Sequence, residues 1–257
     1  MKTAEFLQAL DREGRLLAAA AEEAGTGAVV PTCPGWRVRD LLGHTGAVHE
    51  WAAAFVADGH TSPRPIGDPP RLDGAELVAW YRDSHRRLVD TLAGAPADVE
   101  CWTFHPAPQD PPSPLAFWTR RQAHETAVHR YDAEQARGAA PTTVDGEFAV
   151  DGIDELLRGF HARSRSRVRT PEPRVLRVRA TGTADGADTA GSTDAVWTVR
   201  LSDGAPVTVR DSSTPADAEL SGPADLLYLA LWNRVPVPHV TGDGSLVALW
   251  RETSAIV

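Results

Sequence analysis

Residues 121–132, with the sequence RQAHETAVHRYD, decide how the rest of this chain is interpreted. Within them Glu125 and His129 stand four positions apart, inside a longer run whose apolar residues recur at helical spacing. On an α-helix this interval is about 40° of rotation and about 6 Å of rise, so both side chains leave the same face one turn apart. A carboxylate and an imidazole placed in this way can bind one divalent metal ion, which then requires a ligand from elsewhere in the chain.

A candidate for that further ligand is His44, on a second predicted helix that begins after Trp36 and ends near residue 58. The residues that share one stripe of this helix at spacings of three and four are Leu41, His44, Val48, Trp51 and Phe55. His44 is therefore expected to point into a helical bundle. Simpler interpretations stay open: Glu125 and His129 as an exposed ion pair, and His44 as a hydrogen-bonded core histidine. A shared cation would remove the cost of burying an unpaired carboxylate, which is several kcal/mol.

The composition is that of a globular protein with room for two domains. The chain has 257 residues, 42% hydrophobic and 24% charged, and a formal net charge of −9. That charge argues against general binding to nucleic acid, and no apolar run reaches the ~20 residues that cross a bilayer. The first residues lack the pattern of a signal peptide, so we expect a cytoplasmic protein. We also expect a monomer or a weak homodimer. Cys33 and Cys101 form no disulfide framework and are expected as free thiols.

The apolar pattern divides the chain into a helical part and a mixed part, with the boundary between residues 140 and 141. Four long helices are predicted, at residues 3–24, 36–58, 73–93 and 113–137. They are typical of a four-helix bundle. After a linking helix at 144–162, the pattern changes to alternating strands at 174–180, 195–201 and 206–210, with helices at 222–232 and 244–251. We therefore predict an α+β protein with two domains, 1–140 and 141–257.

Several short motifs resemble the mycothiol-dependent maleylpyruvate isomerase family. In the first domain they are residues 31–36 (PTCPGW), 40–44 (DLLGH) and 123–134 (AHETAVHRYDAE). In the second they are residues 222–227 (GPADLL), 231–234 (LWNR) and 240–244 (VTGDG). The resemblance implies a DinB-like metal-binding four-helix bundle followed by a small, sterol-carrier-like α+β domain.

The resemblance also implies a chemistry. His44, Glu125 and His129 would hold a divalent metal, with zinc as the expected ion, and one coordination position would remain for the thiol of mycothiol. A metal-bound thiol is deprotonated at neutral pH. In an isomerase the thiolate adds to a conjugated cis double bond, the adduct rotates, and the thiolate leaves. In an S-transferase the adduct is released. The partners would be mycothiol and a small electrophilic substrate, for example an unsaturated carboxylic acid.

Two other functions remain open. One is a carrier of a lipid or small hydrophobic molecule, with the bundle as scaffold, and the other is a metal-bound regulatory module without turnover. Among single residues, Arg234 matches a family arginine that would bind a substrate carboxylate, or else it pairs with a surface carboxylate.

Three further residues near these motifs have alternative roles. Asp132 either orients a ligand histidine or pairs with Arg130 or Arg121. His124 is expected near the ligands or on the surface. Cys33 is expected to pack under Trp36 rather than to act as a nucleophile.

Overall fold

The computed structural model describes residues 1–104, 111–182 and 194–256. The chain divides into two compact units, Met1–Thr142 and Thr143–Val257. The first is helical and the second mixes helices with a sheet, which confirms the predicted α+β fold with two domains. The five prolines of residues 104–114 and the small polar residues of 181–194 predict two irregular loops, and most residues of both lie outside the described residues.

The first unit is a bundle of four long helices. They are α1 (Thr3–Ala24), α2 (Val38–Asp58), α3 (Gly74–Gly94) and α4 (Pro114–Arg137). Each lies within two residues of the span predicted from the sequence. Neighbouring pairs are α1 with α4, α4 with α2, α2 with α3, and α3 with α1. Because α2 and α4 are neighbours, the helix that carries His44 faces the helix that carries Glu125 and His129.

Local sequence signals explain where α4 begins and ends. Ser113 accepts a hydrogen bond from the backbone N–H of Ala116, which caps the first turn, and Pro114 follows at the first helical position. Gly138 ends the helix with φ of 76°, a left-handed conformation that favours glycine. Between these signals, Trp118 is completely buried and anchors α4 in the core.

A buried ion-pair network joins α4 to α1. Arg130 is 0% exposed, and its Nε donates to Glu13 at 2.7 Å while its Nη1 donates to Glu134 at 2.7 Å. Nη1 also donates to the carbonyl of Thr142, at the end of the unit. A buried guanidinium is tolerated only when it is paired in this way.

The second unit is a five-stranded sheet with helices. Helix α5 (Gly146–Asp154) continues into a π-helical turn (Glu155–Phe160), and α6 (Ala224–Leu231) and α7 (Gly244–Thr253) follow later in the chain. The strands are β1 (Arg174–Thr181), β2 (Ala195–Leu201), β3 (Val207–Val209), β4 (Ala218–Pro223) and β5 (His239–Gly242). Their order is β3-β2-β1-β4-β5, with β1 and β4 parallel and the other neighbours antiparallel.

Strands β4 and β5 were not predicted from the sequence. β4 buries Ala218, Leu220 and Gly222 on alternate positions, but two of these residues are too small to give a clear period-two signal. β5 is exposed at all four positions and lies at the edge of the sheet. Both strands are therefore defined by pairing with β1 and with each other, rather than by their own composition.

Across the described part of the chain, no helix combines the length and the apolarity that crossing a membrane requires.

Candidate metal centre

His44, Glu125 and His129 come together between α2 and α4. Nε2 of His44 lies 3.3 Å from Oε1 of Glu125, and Nε2 of His129 lies 3.3 Å from the same oxygen. The two imidazole centroids are 5.1 Å apart. One donor atom from each residue lies within 4.8 Å of the other two. Three side chains from two distant parts of the chain thus present two nitrogens and one oxygen to a common point.

Arg121 fixes the second oxygen of the carboxylate. Its Nη2 lies 3.2 Å from Oε2 of Glu125, one turn earlier on α4, and its side chain is only 3% exposed. Oε1 is then the oxygen that faces the two imidazoles. From the sequence, Arg121 was expected only as a partner for Asp132. Its spacing of four residues from Glu125 was the available signal, because such pairs meet on one helix face.

The electrostatics of the cluster favour a carboxylate and a charged imidazole side by side. Burial acts to raise the pKa of Glu125, but hydrogen bonds to His129 and His44, with the charge of Arg121, hold it well below its usual range. Burial acts to lower the pKa of His129, but the hydrogen bonds to Asp132 and Glu125 outweigh it and raise the pKa to about 9. A cation binding here therefore displaces a proton from His129.

Asp132 holds the other nitrogen of His129. Its Oδ2 accepts from Nδ1 of His129 at 2.8 Å, and the carboxylate is completely buried. Thr32 donates to Oδ1 at 2.5 Å, and the Cys33 thiol lies 3.3 Å from Oδ2. Asp132 therefore contacts His129, as the first of the two roles considered for it requires. Arg130 instead pairs with the glutamates of its own network.

Trp36 covers both imidazoles from one side. Its ring centroid is 5.1 Å from that of His44 and 6.1 Å from that of His129, where the planes are nearly parallel at 23°. Cys33 and Trp36, both half-buried, also pack against an apolar cluster to which all four helices contribute. The thiol thus packs against this cluster and contacts Asp132, a contact that the sequence did not indicate, while its packing under Trp36 stays a prediction.

Two other histidines of these helices, His124 and His49, are buried. His124 is completely buried and meets the edge of the Phe6 ring at 5.7 Å, so a surface position is wrong for it. His49, outside the apolar stripe of its helix, is also completely buried, and its Nε2 lies 2.9 Å from the hydroxyl of Thr126. By contrast, the His44 side chain is 36% exposed. Of the two histidines on α2, His44 and His49, the partly open one therefore belongs to the cluster.

A cavity of about 300 Å³ lies along the same helix. Its lining begins at Ala47, about 4.5 Å of helical rise beyond His44, and includes Trp51, Phe55 and Arg64. Trp51 donates from its indole nitrogen to the carbonyl of Arg64 at 2.8 Å, which closes one side. The helical apolar pattern predicts inward positions for four tryptophans, as core residues with one or two at the mouth of a pocket: Trp36, Trp51, Trp80 and Trp118. Only Trp118 is completely buried, while Trp36 and Trp51 contact the cluster and the cavity.

Arg234 lies in the second unit, three residues past α6. Its Nη1 donates to the carbonyl of Trp232 at 2.8 Å, and its backbone N–H donates to Leu229. These contacts order the turn after the helix. Binding of a substrate carboxylate by Arg234 stays a prediction.

Both parts of the chain match domains of one known enzyme family. Residues 7–134 match the mycothiol maleylpyruvate isomerase N-terminal domain, and residues 147–249 match the C-terminal domain of the same proteins. The chain is therefore an enzyme with two domains, a helical bundle followed by a unit that contains a sheet. The chain belongs to the mycothiol-dependent maleylpyruvate isomerase family, as the motifs predicted.

A solved structure has the same fold. It is the crystal structure of a histidine-to-alanine mutant of the mycothiol-dependent maleylpyruvate isomerase, with a TM-score of 0.58 and 13% sequence identity. The match covers 93% of this chain and 97% of that one. No curated protein sequence matches the chain. Membership in this family confirms that the chain is an enzyme, which argues against the carrier and the regulatory module.

Proposed function

We propose that this chain is a metal-dependent enzyme that uses mycothiol as its thiol, either to isomerise a small unsaturated acid or to transfer the thiol to an electrophile. The single observation that carries the proposal is the convergence of His44, Glu125 and His129 on one point at the α2–α4 interface. Family membership supports mycothiol as the thiol.

The donor set fits a divalent ion, with zinc as the first choice. Two imidazoles and one carboxylate form a three-ligand set of the type found in catalytic zinc sites. With zinc–ligand bonds of about 2.1 Å, tetrahedral geometry places neighbouring donor atoms about 3.4 Å apart. The two separations of 3.3 Å from Oε1 of Glu125 agree with that value.

The protein's own groups position and desolvate the site. A bound ion would supply the Lewis acidity that keeps the mycothiol sulfur as a thiolate, the nucleophile that both reactions need. Arg121 holds the Glu125 carboxylate in one orientation, and Asp132 directs Nε2 of His129 towards the same point. Trp36 shields the two imidazoles from water on one side. The cavity along α2, whose lining begins one turn after His44 at Ala47, provides room for a small molecule.

The substrate class is a small electrophile, and maleylpyruvate is the first candidate because the family is named for it. Isomerase and S-transferase activity differ in their products. An isomerase returns mycothiol unchanged and releases the trans acid, whereas a transferase consumes mycothiol and releases a thioether.

The test combines metal analysis with product analysis. Purified protein is loaded with Zn²⁺, its metal content is measured, and it is incubated with mycothiol and either maleylpyruvate or a panel of small electrophiles. We expect one ion per chain and turnover of at least one substrate. His44→Ala should lose most of the bound metal and lower turnover by at least about 100-fold. The loss of a metal ligand reduces affinity and activity more than the loss of a residue that only orients a ligand.

The matched control is His239→Ala, which removes an exposed histidine from strand β5 in the other unit. It should leave metal content and turnover unchanged. A protein that holds no metal, or that turns over equally well as His44→Ala, would falsify the proposal.

A further inference from the structure

The turn at residues 31–36 reaches the cluster from outside the two helices that carry the ligands. Its backbone is closed by hydrogen bonds from Cys33 N–H to Val30 at 3.1 Å and from Trp36 N–H to Cys33 at 3.0 Å. Val30 N–H in turn donates to the carbonyl of Trp36 at 3.0 Å. The side chains of Thr32 and Cys33 are therefore presented from a turn held at both ends.

Both side chains act on the same carboxylate. Asp132 is completely buried, and its contacts include Thr32 on Oδ1 and both Cys33 and His129 on Oδ2. A buried carboxylate with fixed donors on both oxygens has little freedom to rotate, because any rotation breaks a charge-assisted hydrogen bond. The position of Oδ2, 2.8 Å from Nδ1 of His129, is thereby set by the turn.

The tautomer of a neutral histidine follows from such a contact. A carboxylate next to Nδ1 requires the proton on Nδ1, and the lone pair is then on Nε2. Nε2 of His129 is the nitrogen that lies 3.3 Å from Glu125 and faces the cluster. Loss of the contact would let the ring place its proton on Nε2, where it blocks metal binding.

We propose that Thr32 and Cys33 are positioning residues that set the tautomer and orientation of His129 through Asp132. This inference rests on the metal-binding function proposed above. It gives the PTCPGW motif a role in the site: Thr32 and Cys33 orient one ligand, and Trp36 packs on two.

The test is metal affinity, measured with Zn²⁺ alone. Thr32→Val keeps the shape of the side chain but removes the donor to Asp132, and we expect Zn²⁺ binding about 10- to 100-fold weaker, the range for contacts that orient a metal ligand. Cys33→Ala should weaken binding in the same direction, whereas Cys33→Ser, which keeps a donor, should restore it. Calorimetric titration of each purified variant gives the affinity.

A spectroscopic measurement separates positioning from general destabilisation. In Zn²⁺-loaded wild type, NMR should show the Nδ1 proton of His129 exchanging slowly with solvent, and Thr32→Val should exchange it faster. The matched control is Thr198→Val, which removes a buried hydroxyl that donates to the carbonyl of Asp211 in the second unit. It should change neither the Zn²⁺ affinity nor the exchange of this proton.

The outcomes are distinguishable. If wild type itself binds no Zn²⁺, the proposed function fails. If wild type binds Zn²⁺ while folded Thr32→Val and Cys33→Ala bind it equally well with the same proton exchange, the metal function survives and this inference is overturned.

Discussion

Single residues in this protein have roles that depend on their partners across long stretches of chain. Thr32 and Asp132 are 100 positions apart and share a hydrogen bond, and His44 and Glu125 are 81 apart and share the cluster. Buried polar groups need such partners, because an unpaired one costs about 1–3 kcal/mol or more. In the cluster, Glu125 and His129 each have a second contact, to Arg121 and Asp132, that limits their rotation.

His161 is a buried histidine remote in sequence from the cluster, and it predicts a pH effect on stability. Its ring packs on Trp250 at 4.8 Å, its Nδ1 lies 3.1 Å from Ser166, and its Nε2 has no hydrogen-bond partner among the described residues. Burial lowers its pKa from 6.5 to about 4. The folded state therefore favours the neutral ring of His161. The contribution of this neutral ring to the free energy of unfolding is fully present above pH 6.5. It is lost as the pH falls from about 6.5 to about 4.

We expect up to roughly 3 kcal/mol of the fall in unfolding free energy across that window to come from this residue. Urea unfolding of wild type and His161→Phe at several pH values measures it. The variant should show the flatter dependence, because phenylalanine has no proton to gain. Parallel curves for the two proteins would contradict the assignment.

At the scale of elements, the helices of the bundle approach closely where a side chain is missing. A Cβ on Gly14 of α1 would lie 2.1 Å from Nε2 of His85 on α3. That ring cannot move away without loss, because the same nitrogen lies 3.0 Å from the carbonyl of Leu10. Helix propensity alone would favour alanine at position 14. The close packing of His85 against position 14 therefore requires glycine there.

Gly14→Ala should therefore destabilise the protein by about 1–3 kcal/mol, the usual cost of overpacking a filled core. Gly94, at the end of α3, is the matched control site, since no atom lies within 4 Å of the position that a Cβ would take there. Gly94→Ala should be neutral or stabilising by up to about 1 kcal/mol. Thermal and chemical unfolding of both variants give the comparison, and equal effects would contradict it.

At the scale of the whole molecule, the two compact units divide the structural elements between them. Every residue of the cluster and its supports, from Thr32 to Asp132, belongs to the unit Met1–Thr142. The last residue of that unit is tied back to α4, since Thr142 donates from its N–H and its hydroxyl to Glu134. The first unit thus contains all the groups that the proposed metal site requires.

The fragment 1–142 should therefore fold alone and bind Zn²⁺ with an affinity within about threefold of the whole chain, as expected for independent parts. Circular dichroism establishes that the fragment is helical, and calorimetry compares its affinity with that of the intact protein. A well-folded fragment that binds much more weakly would show that the second unit contributes to the site.

The sequence by itself determined the elements with strong local signals and the family. The long helices have repeating apolar stripes, caps and glycine stops, so their ends follow from nearby residues. The motifs around His44 and Glu125 identified the family, and spacing alone placed Glu125 and His129 on one helix face. Metal ligation by the three residues remains a prediction that the geometry supports.

Only the tertiary structure decided which residues surround the three predicted ligands. The contacts of Thr32 and Cys33 with Asp132, the burial of His49 and His124, and the pairing of β4 with β1 all join segments that are distant in the chain. No periodic pattern records such contacts, because periodicity reports which face of an element is apolar and not which element packs against it. The pairing of helices and strands supplies that information.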